Sequence, residues 1–244
     1  MLSTNNILIR NLDLSDWNFE VATNMSNFLY NASALKTLTL PDNMTLSHVT
    51  SINSCFIQCS SLREIDTSKW TLANVTNMGS CFSGCGSLQS LDTSKWTLAN
   101  VTDMYQCFSQ CSSLREIDFS SCNITKCIYW EDWIYSCSSL ETLKIGLIDF
   151  SRCGSINFFE NTTNIREITG TLRGIRNNFW AVSRRMTRDS CMVFINGLET
   201  VTEAKTLTLG VNNKPVSLGG KGNDPISDDD LKIATDKGWT VQFA

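Results

Sequence analysis

Residues 66–91 read DTSKWTLANVTNMGSCFSGCGSLQSL, and the eleven letters that open this stretch return unchanged at 92–102. Extending the register outward places apolar anchors at Leu12, Leu38, Ile65, Leu91, Ile117, Leu143 and Ile168. The intervals are 26, 27, 26, 26, 26 and 25 residues. Spacing this regular marks a repeat protein. A unit of that size cannot bury its own apolar residues, so stacked neighbours must supply the core.

Within the unit, Val75, Met78, Phe82, Cys85 and Leu88 fall at steps of 3, 4, 3 and 3. That spacing predicts one face of a short helix. Thr76 and Thr102 precede their runs and are expected to cap them. Gly86-Ser87 or Ser112-Ser113 ends the run, and a short strand around the next anchor follows. The expected fold class is α/β: a leucine-rich-repeat solenoid of about six strand-plus-helix units of 26 residues, with a C-terminal α/β cap.

Residues 1–168 form the repeats, and 169–244 form a degenerate terminal repeat and the cap. In the cap, RDSCMVFINGL at 188–198 predicts a helix and KTLTL at 205–209 a strand. A Gly/Pro/Asn loop fills 210–226. A last helix starts at Ser227, with Asp228, Asp229 and Asp230 at its positive end, and Gly238 stops it before the strand WTVQF. The start of the chain shows no comparable cap, which suggests a truncated N-terminus or a partner lying over it.

Composition narrows the function classes. The formal net charge is −4, so the basic face that holds nucleic acid is not expected. Ser, Thr and Asn make up 76 of 244 residues, much of it turn chemistry repeated with the unit. A single His, at position 48, takes the turn position of Asn74 and Asn100, which leaves no Ser–His or Cys–His pair outside the repeats. No catalytic residues, no cofactor and no metal are expected. No apolar run reaches the ~18 residues of a membrane span. The opening MLSTNNILIRNLDLSDW has no basic segment followed by an apolar one. The chain is thus expected to leave by another route, to travel as part of a particle, or to have lost a signal.

VTNMGSCFSGCGSL at 75–88 and VTDMYQCFSQCSSL at 101–114 resemble the BspA-like leucine-rich repeats of bacterial surface proteins, whose unit carries V-T-x-M-x-x-x-F-x-x-C-x-S-L. The resemblance covers roughly residues 9–168. The closing TLTLG and DLKIATDKGWTV are similar to the ends of such proteins from gut Bacteroidales and their phages. It implies adhesion or recognition rather than catalysis, in an extracellular setting. The partner implied is a glycan or protein on a host or bacterial surface, with neighbouring surface or virion proteins at the uncapped N-terminus. Two alternatives stand beside it: a phage virion component for host attachment or decoration, and an intracellular interaction scaffold.

The candidate ligand surface is the sheet face. Residues flanking each anchor should point outward: Glu64, Asp66, Ser90, Asp92, Glu116, Asp118, Thr142, Lys144, Glu167 and Thr169. Asp66, Asp92 and Asp118 are each followed two residues later by Ser and are read first as turn-formers. Tyr105, Tyr129, Trp130 and Trp133 break the repeat pattern and are candidate aromatic contacts, whereas Trp17, Trp70 and Trp96 recur at one repeat position and are read as core. Cys55/Cys59, Cys81/Cys85 and Cys107/Cys111 are read as a reduced core ladder, because pairs translated along a stack do not converge on one metal. Arg184, Arg185 and Arg188 make a small basic cluster.

Overall fold

A computed structural model describes residues 8–154, 156, 160–183, 186–210 and 225–244. The chain winds as a parallel β-solenoid. Its strands are β1 (Asn11–Asp13), β2 (Thr37–Thr39), β3 (Glu116–Ile124), β4 (Thr142–Asp149), β5 (Glu167–Arg173), β6 (Phe179–Ala181), β7 (Lys205–Leu209) and β8 (Trp239–Phe243). They pair in parallel as β1-β2, β3-β4-β5 and β6-β7-β8. The anchors align as the repeat demands: Leu12 faces Leu38, and Ile117 faces Leu143, which faces Ile168. A second line of single bridges, Asn24–Ser51–Asn77–Asp103–Tyr129, runs along another side of the stack.

The helix expected in each unit does not form. Among the described residues the α-helices are α1 (Arg188–Gly197) and α2 (Asp228–Thr235), both beyond the repeats. The V-T-x-M-x-x-C-F-x-x-C-x-S-L run is instead a chain of tight turns. Cys81, Ser83, Cys85 and Leu88 donate their N–H to Met78, Ser80, Phe82 and Cys85 carbonyls, three residues back. Between them, Met78, Ser80, Phe82 and Gly84 donate to Asp103, Tyr105, Cys107 and Ser109 of the next coil, at 2.7–2.9 Å. A helix would turn these donors inward along its own axis and leave none for the neighbouring coil. In a solenoid, where every coil needs bonds to the next, the turn chain satisfies twice as many directions.

The turn chain requires left-handed backbone at its third positions. Ser80 (φ 53°) and Gly84 (φ 75°) supply it here, and Ser54/Gln58, Gln106/Gln110 and Asp132/Ser136 do so in neighbouring coils. Thr76 and Thr102 are not helix caps. Their hydroxyls donate backward to Thr50 and Thr76 carbonyls, one coil earlier, at 3.2 and 3.1 Å.

Val75, Met78, Phe82, Cys85 and Leu88 are buried and their counterparts recur coil by coil, so the core is a set of columns. Phe56, Phe82 and Phe108 stack face to face, with centroids 5.5 Å apart and planes 5° from parallel. Trp70 and Trp96 make a second column, 6.2 Å apart, packed against the first. One hydrophobic cluster runs from Leu14 to Trp239.

The terminal segment forms the helices and strands expected of it. Thr187 caps α1 and α1 packs on β5. Ser227 caps α2 through a reciprocal box with Asp230, and Gly238 (φ 85°) leads into β8. Of the loop expected at 210–226, residues 211–224 lie outside the described residues. No helix among the described residues is long and apolar enough to cross a membrane.

Candidate binding surface

The sheet face is built by strand alternation. Ile117, Leu143 and Ile168 point into the core, so their neighbours point out. All ten expected face residues, Glu64 to Thr169, are exposed or half-exposed. The β3-β4-β5 register brings six of them into two rows, Glu116–Thr142–Glu167 and Asp118–Lys144–Thr169. Glu64, Asp66, Ser90 and Asp92 take the same position on coils held by fewer bonds, among them Gln89 N–H to Arg63 carbonyl at 3.0 Å.

The Lys144 ammonium reaches from its own row to the other, 2.8 Å from Glu116, and lies 3.5 Å from Asp118. The bond to Glu116, with Asp118 behind it, raises the Lys144 ammonium above its ordinary pKa. Asp118 is pushed up by partial burial, but its bonds from Ser120 and the nearby Lys144 bring it below its ordinary value. The aspartates do form turns. Asp66, Asp92 and Asp118 each accept the N–H of the residue two positions on, at 2.9–3.0 Å. The hydroxyls of Ser68 and Ser94, followed by those N–H bonds, lower Asp66 and Asp92. One oxygen of each carboxylate is therefore occupied, and the Asp ladder is a set of corners before it is a charge cluster.

The aromatic candidates divide. Tyr105 and Tyr129 are exposed on successive coils. Trp130 and Trp133 are fully buried, crossing at 83° with centroids 5.3 Å apart, so they are not ligand contacts. They depart from the repeat pattern because this coil fills the core with indoles where its predecessor has Met104 and Cys107. Trp70 and Trp96 are buried as expected, while Trp17 is 48% exposed.

All eleven cysteines are buried free thiols. Cys59, Cys85, Cys111 and Cys137 donate to the carbonyls of Leu29, Phe56, Phe82 and Phe108 of the preceding coil at 3.0–3.3 Å. Among the described residues no three His, Cys, Asp or Glu side chains gather as a metal site. His48 is an exposed turn residue. Of the basic cluster, Arg184 and Arg185 lie outside the described residues, and Arg188 forms a fork with Asp230 at 2.9 and 2.7 Å.

Residues 37–145 match the family model described as "Mycoplasma protein of unknown function, DUF285". The match spans β2 to the middle of β4, just under half of the chain, and contains both near-identical units. No curated protein and no solved structure matches the chain.

A second concavity escapes a reading of the repeat alone. Beyond the matched segment, a cleft of about 700 Å³ is lined by Gly154, Ile156, Glu160, Asn161 and Thr163 and by residues of β6 and β7. Trp180, Asn177, Asn178 and Lys205 line it. Its signal in the sequence is the adjacent pair Phe179-Trp180: in a strand, neighbours face opposite ways, so one of the two rings must be outside.

Proposed function

We propose that this chain is a non-catalytic recognition module that binds a glycan or protein ligand along its sheet face at a cell surface. The observation that carries the proposal is the register of β3, β4 and β5, which sets Glu116, Thr142 and Glu167 beside Asp118, Lys144 and Thr169 on one outward surface. Solenoids present extended surfaces of this kind for binding. The burial of every cysteine supports it too, because the nucleophilic side chains serve the core. The repeat letters resemble those of BspA-like surface proteins, and the match over 37–145 is consistent with that resemblance.

A second reading, an intracellular interaction scaffold, draws on the eleven thiols, since none is paired as a disulfide. In the phage-virion reading, the same face serves attachment from a particle.

The test is a screen of the purified, labelled chain on glycan arrays and on whole bacterial and host cells. Saturable binding to one or more of these surfaces is the expected result. Binding to none of them, by protein that melts cooperatively, overturns the adhesion reading.

A further inference from the structure

The cleft beside β6 is a site of a different kind from the sheet face. We propose that it binds a neutral saccharide, with Trp180 as the stacking platform. This goes beyond the sheet-face reading and stands on separate residues.

Trp180 is the central residue of a three-residue strand whose other two members, Phe179 and Ala181, are fully buried. Their burial fixes the strand's orientation and holds the Trp180 indole outward, 53% exposed. Pairing of Trp180 with Thr208 of β7 fixes its backbone. A large aromatic ring held in the open has no folding reason to be there, since burial is where its area stabilises the chain. Of the other indoles, Trp70, Trp96, Trp130, Trp133 and Trp239 are buried, and Trp17, near the start of the stack, is 48% exposed.

The surroundings of the ring are nearly neutral and mix apolar Ile156 and Val182 with polar side chains. Asn178 accepts the Thr206 N–H on its Oδ1 at 2.9 Å, which turns its Nδ2 donor away from the backbone. Asn177 does the reverse, donating Nδ2 to the Cys153 and Gly154 carbonyls at 3.3 and 3.0 Å, which leaves Oδ1 as an acceptor. Both amides are thus held by backbone, one offering a donor and the other an acceptor. Thr163 adds a hydroxyl, and Lys205 and Glu160 contribute opposite charges to the lining. A pyranose has the matching chemistry: an apolar face of C–H groups for an indole, and a rim of hydroxyls that both donate and accept. The volume of about 700 Å³ falls in the ordinary range for small-ligand sites.

The experiment titrates the full chain with neutral cello-, malto-, xylo- and chito-oligosaccharides by calorimetry, using the wild type, Trp180→Ala and Trp180→Phe. At least one series should bind the wild type, with affinity falling at least about tenfold in Trp180→Ala and staying within about threefold in Trp180→Phe. Saturation-transfer NMR on the wild type, with the Trp180 indole assigned through Trp180→Phe, reports the contact even if Trp180→Ala fails to fold. Binding by none of these sugars overturns the proposal, as does binding that Trp180→Ala leaves unchanged. Sugar binding lost only in sheet-face variants overturns it while leaving the sheet-face reading in place.

Discussion

The Sγ of Cys111 donates to the carbonyl oxygen of Phe82 across 3.1 Å, one coil back in the stack. The same bond joins Cys85 to Phe56 and Cys137 to Phe108, so the ladder acts as a seam between coils as well as filling volume. Replacing Cys111 with Ala removes both a donor and buried apolar volume. The expected loss is about 1–2 kcal/mol of stability, measured by urea denaturation. Unchanged stability would show that the thiol neither bonds nor packs.

Burial also governs how these thiols titrate. It pushes Cys59 and Cys137 up to about 12, and Cys122 to about 11, from an ordinary 9.0. A raised pKa means that the folded chain keeps protons which the unfolded chain has released. Stability is therefore complete below pH 9 and falls as pH rises toward 12. A thiol-specific disulfide reagent at pH 8 should leave the native chain unmodified and label all eleven cysteines once urea is added. Rapid labelling of the native chain would refute the buried ladder.

The turn chain can be told from a helix by glycine. Ser80 (φ 53°) and Gln106 (φ 50°) sit in left-handed backbone, which costs a side chain roughly 1–2 kcal/mol that glycine avoids. Glycine at either site in a helix would instead cost about 1 kcal/mol. The double variant Ser80→Gly/Gln106→Gly should thus melt at or above the wild-type temperature. A drop of several degrees would favour the helix.

Arg188 and Asp230 tie α1 to α2 through a two-bond fork. Burial pushes Asp230 up, but the Arg188 guanidinium and the bonds from Ser227 outweigh it and hold the carboxyl below 3.8. A depressed carboxyl stabilises the fold above its unfolded pKa and ceases to as pH falls through its folded value. The cap should therefore loosen below pH 3.8, seen as earlier hydrogen exchange in α2 than in β3. Asp230→Ala should produce the same loosening at pH 7, at a cost of about 2 kcal/mol. Equal protection of α2 in the wild type and in this variant would contradict the role given to the fork.

Much of this was legible in the sequence because repetition reads the register directly. Ile117, Leu143 and Ile168 face one another as their spacing requires, and Asp66, Asp92 and Asp118 make the turns their Ser partners suggest. The helix was the error. Val75, Met78, Phe82, Cys85 and Leu88 recur at nearly the same period in a helix and in overlapping three-residue turns, so apolar spacing does not separate the two. Asn27, Asn31, Gly84 and Asn161 at the left-handed positions carried the distinction. Trp130 and Trp133 misled for a related reason: a residue that departs from the repeat can depart inward.

Charge reversal on the sheet face probes ligand binding there. Glu116→Arg, Asp118→Arg and Glu167→Arg, combined in one chain, alter only outward residues of β3 and β5. On any glycan or cell surface that the wild type recognises, affinity should fall at least about tenfold while cooperative melting is retained. Undiminished binding by the folded triple variant would contradict the sheet-face reading.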